Sequence, residues 1–370
     1  MKKKFIDVSL TVAFLIFITI PLAFIEKGNT SLNENRVLAS FPNLFLSGNI
    51  NLEFIREFDA WFSDHYGFRR HLVKLNSFIN IEILKSSPSD KILIGKNNWL
   101  FYTYKQDGDP ISNFQNANLY SKEQLIEFTN NLVQMKKWCK SHGSDFVFMI
   151  APNKETIYEE YYPNGVRKLS NYSRLDQIVK FVNENSDIKV VDVRAGLFNA
   201  KAKEKLYYET DTHWNSYGAF IGYKELMNEI NKSNLEIKPE QLKNFTITRQ
   251  NRKGGDLAAM INMTDYFNDR EYIFTRKEGN TFKYILSKFG PGGEVITETN
   301  NKSSPKAVML RDSFTTAMVP FISNHFSRVV YDWSGVFNSK LIEKEKPDIV
   351  IYEVVERSMD AIINQSSIIN

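Results

Sequence analysis

The stretch Tyr207-Tyr208-Glu209-Thr210-Asp211-Thr212-His213-Trp214-Asn215 sets a carboxylate and an imidazole two residues apart, just ahead of a helical pattern. Further along, Val308-Met309-Leu310-Arg311-Asp312-Ser313-Phe314 offers a serine at the end of an apolar run. These are the residue types that acyl transfer through serine requires. A hydroxyl is a poor nucleophile until a base takes its proton, and imidazole suits that task near neutral pH. The base must be held in one tautomer by a carboxylate on its other nitrogen. Asp211 can hold His213 in this way, and Ser313 supplies the nucleophile. Of the five histidines (His65, His71, His142, His213 and His325), only His213 has a carboxylate at i−2 in a strand-to-helix connection.

Elements must then bring the two stretches together. Lys306–Leu310 reads as a strand and Phe314–Ser323 as a helix, so Ser313 sits where a strand gives way to a helix. In parallel α/β sheets, sites gather at the carboxyl ends of strands. Free backbone N–H groups at a helix start, that of Ser313 included, can stabilise an oxyanion. The chain order Asp, His, Ser is no objection, since triads are defined by geometry. Other readings of the same residues stay open. Asp211 and His213 could form a helix entry, and Asp312-Ser313 a cap. Asp211 and His213 could also be metal ligands, but no second histidine at i+3 or i+4 supports that. No metal and no cofactor is expected.

The wider pattern is an alternation of helix and strand from Ser121 onward. Ser121 with Gln124 makes a capping box for a helix to Lys140, which Gly143 ends. Asp145–Ala151 is a continuous apolar run, as expected of a strand buried on both faces. A helix through Leu175, Ile178, Val179 and Val182, a strand at Ile188–Val193 and a helix capped by Asn215 follow. Gly254-Gly255-Asp256 reads as a turn entering a short helix, and Tyr272–Thr275 and Thr281–Leu286 as extra strands. Arg328–Trp333, Ser339–Lys344 and Asp348–Val355 then give strand, helix, strand. The alternation predicts an α/β domain over 121–370 with a mainly parallel sheet between helix layers. Ahead of it, 26–120 reads as a linker and a helical and hairpin extension packed on the main domain, with Asn97-Asn98 turning the hairpin Ile92–Tyr102.

Lys2-Lys3-Lys4 precede the apolar run Phe5–Ile25. At a rise of ~1.5 Å per residue this run is about as long as a bilayer core is thick. It predicts a transmembrane anchor over 5–25, uncleaved because no small-x-small site follows, with residues 1–4 cytoplasmic and the remainder outside. Net charge is +4, of which the N-terminal Lys2, Lys3, Lys4 and Asp7 give +2. That balance excludes nucleic acid as a partner. The single cysteine, Cys139, rules out an internal disulfide and reads as a core residue.

Thr210-Asp211-Thr212-His213-Trp214 followed by Asp312-Ser313-Phe314 resembles the SGNH hydrolase-like acyltransferases of alginate O-acetylation, the AlgJ/AlgX (DHHW) family. The likeness extends to Asn33-Glu34-Asn35-Arg36 with Leu38-Ala39-Ser40-Phe41-Pro42, to Asp64-His65-Tyr66-Gly67-Phe68-Arg69 and to Gly95–Phe101. Pro152-Asn153-Lys154, Gly255-Asp256-Leu257 and Glu353-Val354-Val355-Glu356-Arg357 are similar too. The resemblance implies a circularly permuted, three-layer α/β/α SGNH-like fold and assigns Ser313 as nucleophile, His213 as base and Asp211 as its orienter. It implies transfer of acetyl, through an acetyl-serine, to hydroxyls of an exported polysaccharide, with a membrane-bound O-acyltransferase as donor at the plasma membrane. An acetylesterase of the same fold and a non-catalytic glycan-binding scaffold are the alternatives. Arg311 stands where the family often has glycine; it either lines the cleft and contacts an anionic or polar sugar or forms a surface pair. Trp214 and Tyr217 are candidates to stack on sugar rings, with packing the commoner role of such aromatics.

Overall fold

The computed structural model describes residues 2–25, 28–31, 36–232, 235 and 237–365. Asn33–Asn35 of the first resemblance block lie outside the described residues. The chain divides into two compact units, 1–89 with 258–267, and 90–257 with 268–370.

The smaller unit holds helices α1 (Lys2–Ala23), α2 (Phe54–His65) and α3 (Arg69–Phe78) and two short hairpins. Phe41 packs edge-on against Phe58 and Trp61 of α2. The backbone N–H of Ala39 donates to Asp64 at 2.8 Å. A helix therefore forms where the transmembrane span over 5–25 was expected, with Pro21 near its end. Among the described residues, however, no helix is long and apolar enough to cross a membrane.

The larger unit is built on a seven-stranded sheet. Its strands in chain order are β1 (Asp145–Ala151), β2 (Val190–Asp192), β3 (Phe282–Ser287), β4 (Glu294–Thr299), β5 (Lys306–Leu310), β6 (Arg328–Asp332) and β7 (Ile349–Val355). The spatial order is β3-β4-β6-β5-β7-β1-β2. The five strands from β6 to β2 run parallel, and β4 and β3 add an antiparallel edge. In β7 every residue is buried, and alternate side chains enter opposite cores. Ile349, Ile351 and Val355 join Met149, Met309 and helix α6 (Ser216–Ile230) on one face. Val350, Tyr352 and Val354 join Phe148, Val308 and helices α4 (Lys122–Ser141) and α5 (Arg174–Asn185) on the other. Three layers result because each helix has one apolar stripe to bury and the sheet has two apolar faces. Cys139 lies in the second core, and burial pushes its thiol up to about 12.

Local signals held well. Ser121 and Gln124 form the capping box, β5 spans the expected residues, and Asn215 caps α6 by accepting from the N–H groups of Tyr217 and Gly218. Residues 90–120, expected with the N-terminal extension, belong instead to the larger unit. The hairpin Ile92–Ile94/Leu100–Tyr102 sends Trp99 and Phe101 into the first core, where Tyr158, Tyr161 and Tyr162 surround them. A ribbon of Phe245–Lys253 paired with Asn268–Arg276 was only half anticipated, because its first arm is largely polar and exposed.

Candidate active site

The loop from Tyr207 to Asn215 is closed on itself by a bridge between Tyr207 and Trp214. Its carbonyl groups turn inward onto a buried cation. The ammonium of Lys154, just beyond the carboxyl end of β1, donates to the carbonyls of Tyr208 (3.3 Å), Glu209 (3.1 Å) and Asp211 (2.8 Å). Burial depresses the Lys154 ammonium to about 8, and Asp256, Asp211 and Asp269 partly offset that. Asp269 anchors the other side of the loop, accepting from the N–H of Glu209 (2.7 Å) and from the hydroxyl of Thr210 (2.5 Å).

Held in this frame, the Asp211 carboxylate accepts from the Nδ1 of His213 at 2.7 Å and from its backbone N–H at 3.1 Å. A second carboxylate, Asp256, lies 3.6 Å from the same Nδ1 and accepts from both the N–H and the hydroxyl of Thr212. Burial alone would push the imidazole down. The hydrogen bond and charge of Asp211, then the charge of Asp256, outweigh it and hold His213 above its ordinary value. Burial would likewise raise Asp211, but the bonds to His213 and the charge of Arg252 keep it well below the usual carboxylate range. Burial and the neighbouring Asp211 raise Asp256. With Nδ1 bound, the other ring nitrogen, Nε2, is buried and has no hydrogen-bond partner among the described residues. A buried polar atom left unpaired in a native fold calls for a reason, and a base awaiting a proton is one. Asp211, His213 and Asp256 also lie close enough to share a metal ion. In this structure the Nδ1 bonds Asp211.

Ser313 emerges from the carboxyl end of β5, as expected. The turn beneath it is held by Asp312, which accepts from the N–H of Phe314 (2.9 Å) and from that of Val355 (2.6 Å). Buried Glu353 accepts from the N–H of Asp312 and from the hydroxyl of Thr315. Burial, then the charge of Asp312, push Glu353 well above the usual range. The Ser313 hydroxyl does not cap the short helical turn that follows. Its neighbour Phe314 ties the two halves of the site together. The Phe314 ring centroid is 5.1 Å from that of His213, and its carbonyl accepts from the Trp214 indole at 2.9 Å. No hydrogen bond joins His213 Nε2 to Ser313.

The residues expected at the substrate differ in their exposure. Arg311 is only 2 % exposed. Its guanidinium stacks 4.5 Å over Trp333 and donates to the Asp312 carbonyl and to Thr316, beneath the serine turn rather than in the cleft. Trp214 is 1 % exposed, a strut between the histidine loop and Phe314 with no face left for a sugar. Tyr217 is half-buried and sits edge-on against Tyr272 and Phe274 of the ribbon.

Four residues gain a role that motif spacing did not reveal: Asn153, Lys154, Gly255 and Asp256. Gly255 leaves room for Asp211, because a Cβ there would overlap the Asp211 Cβ and lie 2.7 Å from its Cγ. Asn153 and Lys154 border a small cavity with Thr212 and Arg357. The resemblance blocks containing these residues were the available signal.

Residues 92–279, half of the chain, match the family described as SGNH hydrolase-like domain, acetyltransferase AlgX. The chain belongs to this family. The matched region includes Asp211, His213, Gly255 and Asp256 and ends ahead of Ser313. Among curated proteins, it is 24 % identical over 236 residues to a probable alginate O-acetylase AlgJ of Pseudomonas syringae, covering 63 % of this chain and 57 % of that one. The chain thus spans little more than half the length of that relative. Its fold is shared with a DHHW family protein from Eubacterium siraeum (18 % identity, TM-score 0.55, 75 % of this chain and 96 % of the other). It is shared also with Bacillus cereus PatB1 bearing a sulfonyl adduct (17 % identity, TM-score 0.56, 74 % and 98 %). The SGNH-like α/β fold of this family member is thereby established.

Proposed function

We propose that the protein is a membrane-anchored, extracytoplasmic O-acetyltransferase that acetylates a polysaccharide through an acetyl-serine intermediate. The observation that carries this reading is the His213 imidazole, bound through Nδ1 to Asp211 while Nε2 stands buried and unpartnered. Phe314, against that imidazole, is the residue next to Ser313. The line Asp211–His213–Ser313 is complete once the Ser313 hydroxyl reaches Nε2, and catalytic hydrogen bonds often tighten only with substrate bound.

In the first half-reaction, Nε2 takes the Ser313 proton as Oγ attacks the acetyl carbonyl, and the proton passes to the departing group of the donor. In the second, Nε2 takes the proton of a sugar hydroxyl, whose oxygen attacks the acetyl-serine carbonyl, and Ser313 leaves as its alcohol. The Ser313 N–H is an available oxyanion donor, whereas that of Phe314 is occupied by Asp312. A polysaccharide acceptor is supported by the relative named an alginate O-acetylase. A membrane-bound O-acyltransferase as acetyl donor follows from the family resemblance. Anchoring rests on Lys2-Lys3-Lys4 ahead of the apolar run Phe5–Ile25.

Ser313→Ala should abolish turnover of an activated acetyl ester and remove an acetyl adduct seen by intact-mass spectrometry. Unchanged turnover, or an adduct on another residue, rejects the assignment. Adding acceptor oligosaccharides then separates transfer from hydrolysis: ester appearing on the sugar supports the transferase, and acetate alone the esterase.

A further inference from the structure

Alongside the candidate active site, the carboxyl end of the sheet carries a second cavity, of about 210 Å³. At ~30 Å³ per water it has room for about seven waters, on the order of one sugar ring. It lies outside the ends of β1, β2 and β7, being lined by Thr156, Arg194 and Glu356 from the residues that follow them. The crevice beyond strand ends is where ligands bind in open α/β sheets. Phe114 and Phe198 supply apolar faces, and Phe198 remains 44 % exposed in the helix Arg194–Lys201. The remaining lining is polar, with the amides of Asn116 and Asn171 among it.

Both cations of this cavity are paired, and its carboxyl groups outnumber them. Arg194 binds Asp176 and Asp192, each at 2.7 Å, and Lys168 pairs with Glu159. With its two cations paired, the cavity favours a neutral ligand over a phosphate or a carboxylate. Aromatic faces take the C–H face of a pyranose, while amides, a threonine and a carboxyl group take its hydroxyls. The cavity also connects physically to the catalytic loop. Glu356 accepts from Thr156 (2.6 Å) and from the N–H of Asn153 (2.9 Å), and the next residue, Lys154, holds the carbonyls around Asp211.

We propose that this cavity is a subsite for one neutral sugar ring of the acceptor chain, bound between Phe198 and the Asn116/Asn171 amides. The inference rests on the acetyltransferase reading and names the chemistry of its acceptor. Its test reads binding, so it can fail while Ser313 chemistry stands, and the reverse.

Neutral gluco-oligosaccharides, glucuronate and inorganic phosphate are titrated into the protein and followed by saturation-transfer NMR and calorimetry. The neutral oligosaccharide should bind, and Phe198→Ala and Asn171→Ala should each weaken it about tenfold while turnover of a small activated acetyl ester stays unchanged. Both side chains are exposed, so the variants should fold normally, as a thermal melt would verify. No binding of the neutral sugar, binding indifferent to both substitutions, or preferential binding of glucuronate or phosphate would overturn the proposal.

Discussion

Gly255→Ala is the sharpest probe of how the base is oriented. The added methyl would overlap the Asp211 Cβ and stand 2.7 Å from its Cγ. Ordinary carbon–carbon contact needs ~3.5–4.0 Å, so Asp211 must retreat by roughly 1 Å. Its bond to His213 Nδ1 is 2.7 Å, and such a retreat would carry it out of the range of a good hydrogen bond. Overpacking of this kind costs ~1–3 kcal/mol of stability, and a misplacement of ~1 Å in a catalytic constellation costs on the order of 100-fold in rate. The expected phenotype is a folded protein with a lower melting temperature, about 100-fold slower turnover of an activated acetyl ester, and a weakened downfield Nδ1 proton resonance. Turnover within twofold of the wild type together with an unchanged Nδ1 resonance would show that Asp211 does not orient His213, and the mechanism would have to be rebuilt.

Other perturbations separate the remaining parts. Because Asp211 and Asp256 hold His213 above its ordinary value, ester turnover should rise with pH to a midpoint above 6.5. Asp211→Asn leaves burial with less opposition, so the midpoint should move down while the plateau falls; a pH–rate profile with an unmoved midpoint contradicts this. The raised His213 value also makes this pair a stabilising contribution that is fully present below the imidazole's unfolded value and lost as pH rises through the folded one. Lys154→Met removes the donor to three loop carbonyls and should cost ~3 kcal/mol or more, read by chemical denaturation. Trp214→Phe removes the bond to the Phe314 carbonyl together with buried indole atoms packed near Gly222, and should slow turnover with a stability loss of ~2–4 kcal/mol.

Much of the fold was legible because its determinants are local. The capping box at Ser121, the Asn215 cap and the apolar run of β5 are each contained within a few residues, and a short window suffices to read them. The same holds for Asp211 and His213, whose bond is made within one loop. Arg311 shows the opposite case. A cation beside a serine reads as a cleft residue until Trp333, more than a strand away, offers its ring and the chain buries the guanidinium beneath the turn. Trp214 is a parallel case: the Phe314 carbonyl occupies its polar edge, and the packing role expected of such aromatics prevails.

The sequence alone therefore determined the alternating elements, the acid–imidazole pair and the position of Ser313 at a strand end. Tertiary structure decided what surrounds them: Gly255 yielding space to Asp211, Asp256 as a second carboxylate, and Lys154 beneath the loop. The physical reason is range. Caps and hydrophobic periods act between neighbours along the chain, whereas the close approach of a backbone, the pairing of charges and the burial of a guanidinium depend on segments that meet only when the sheet and its layers have assembled.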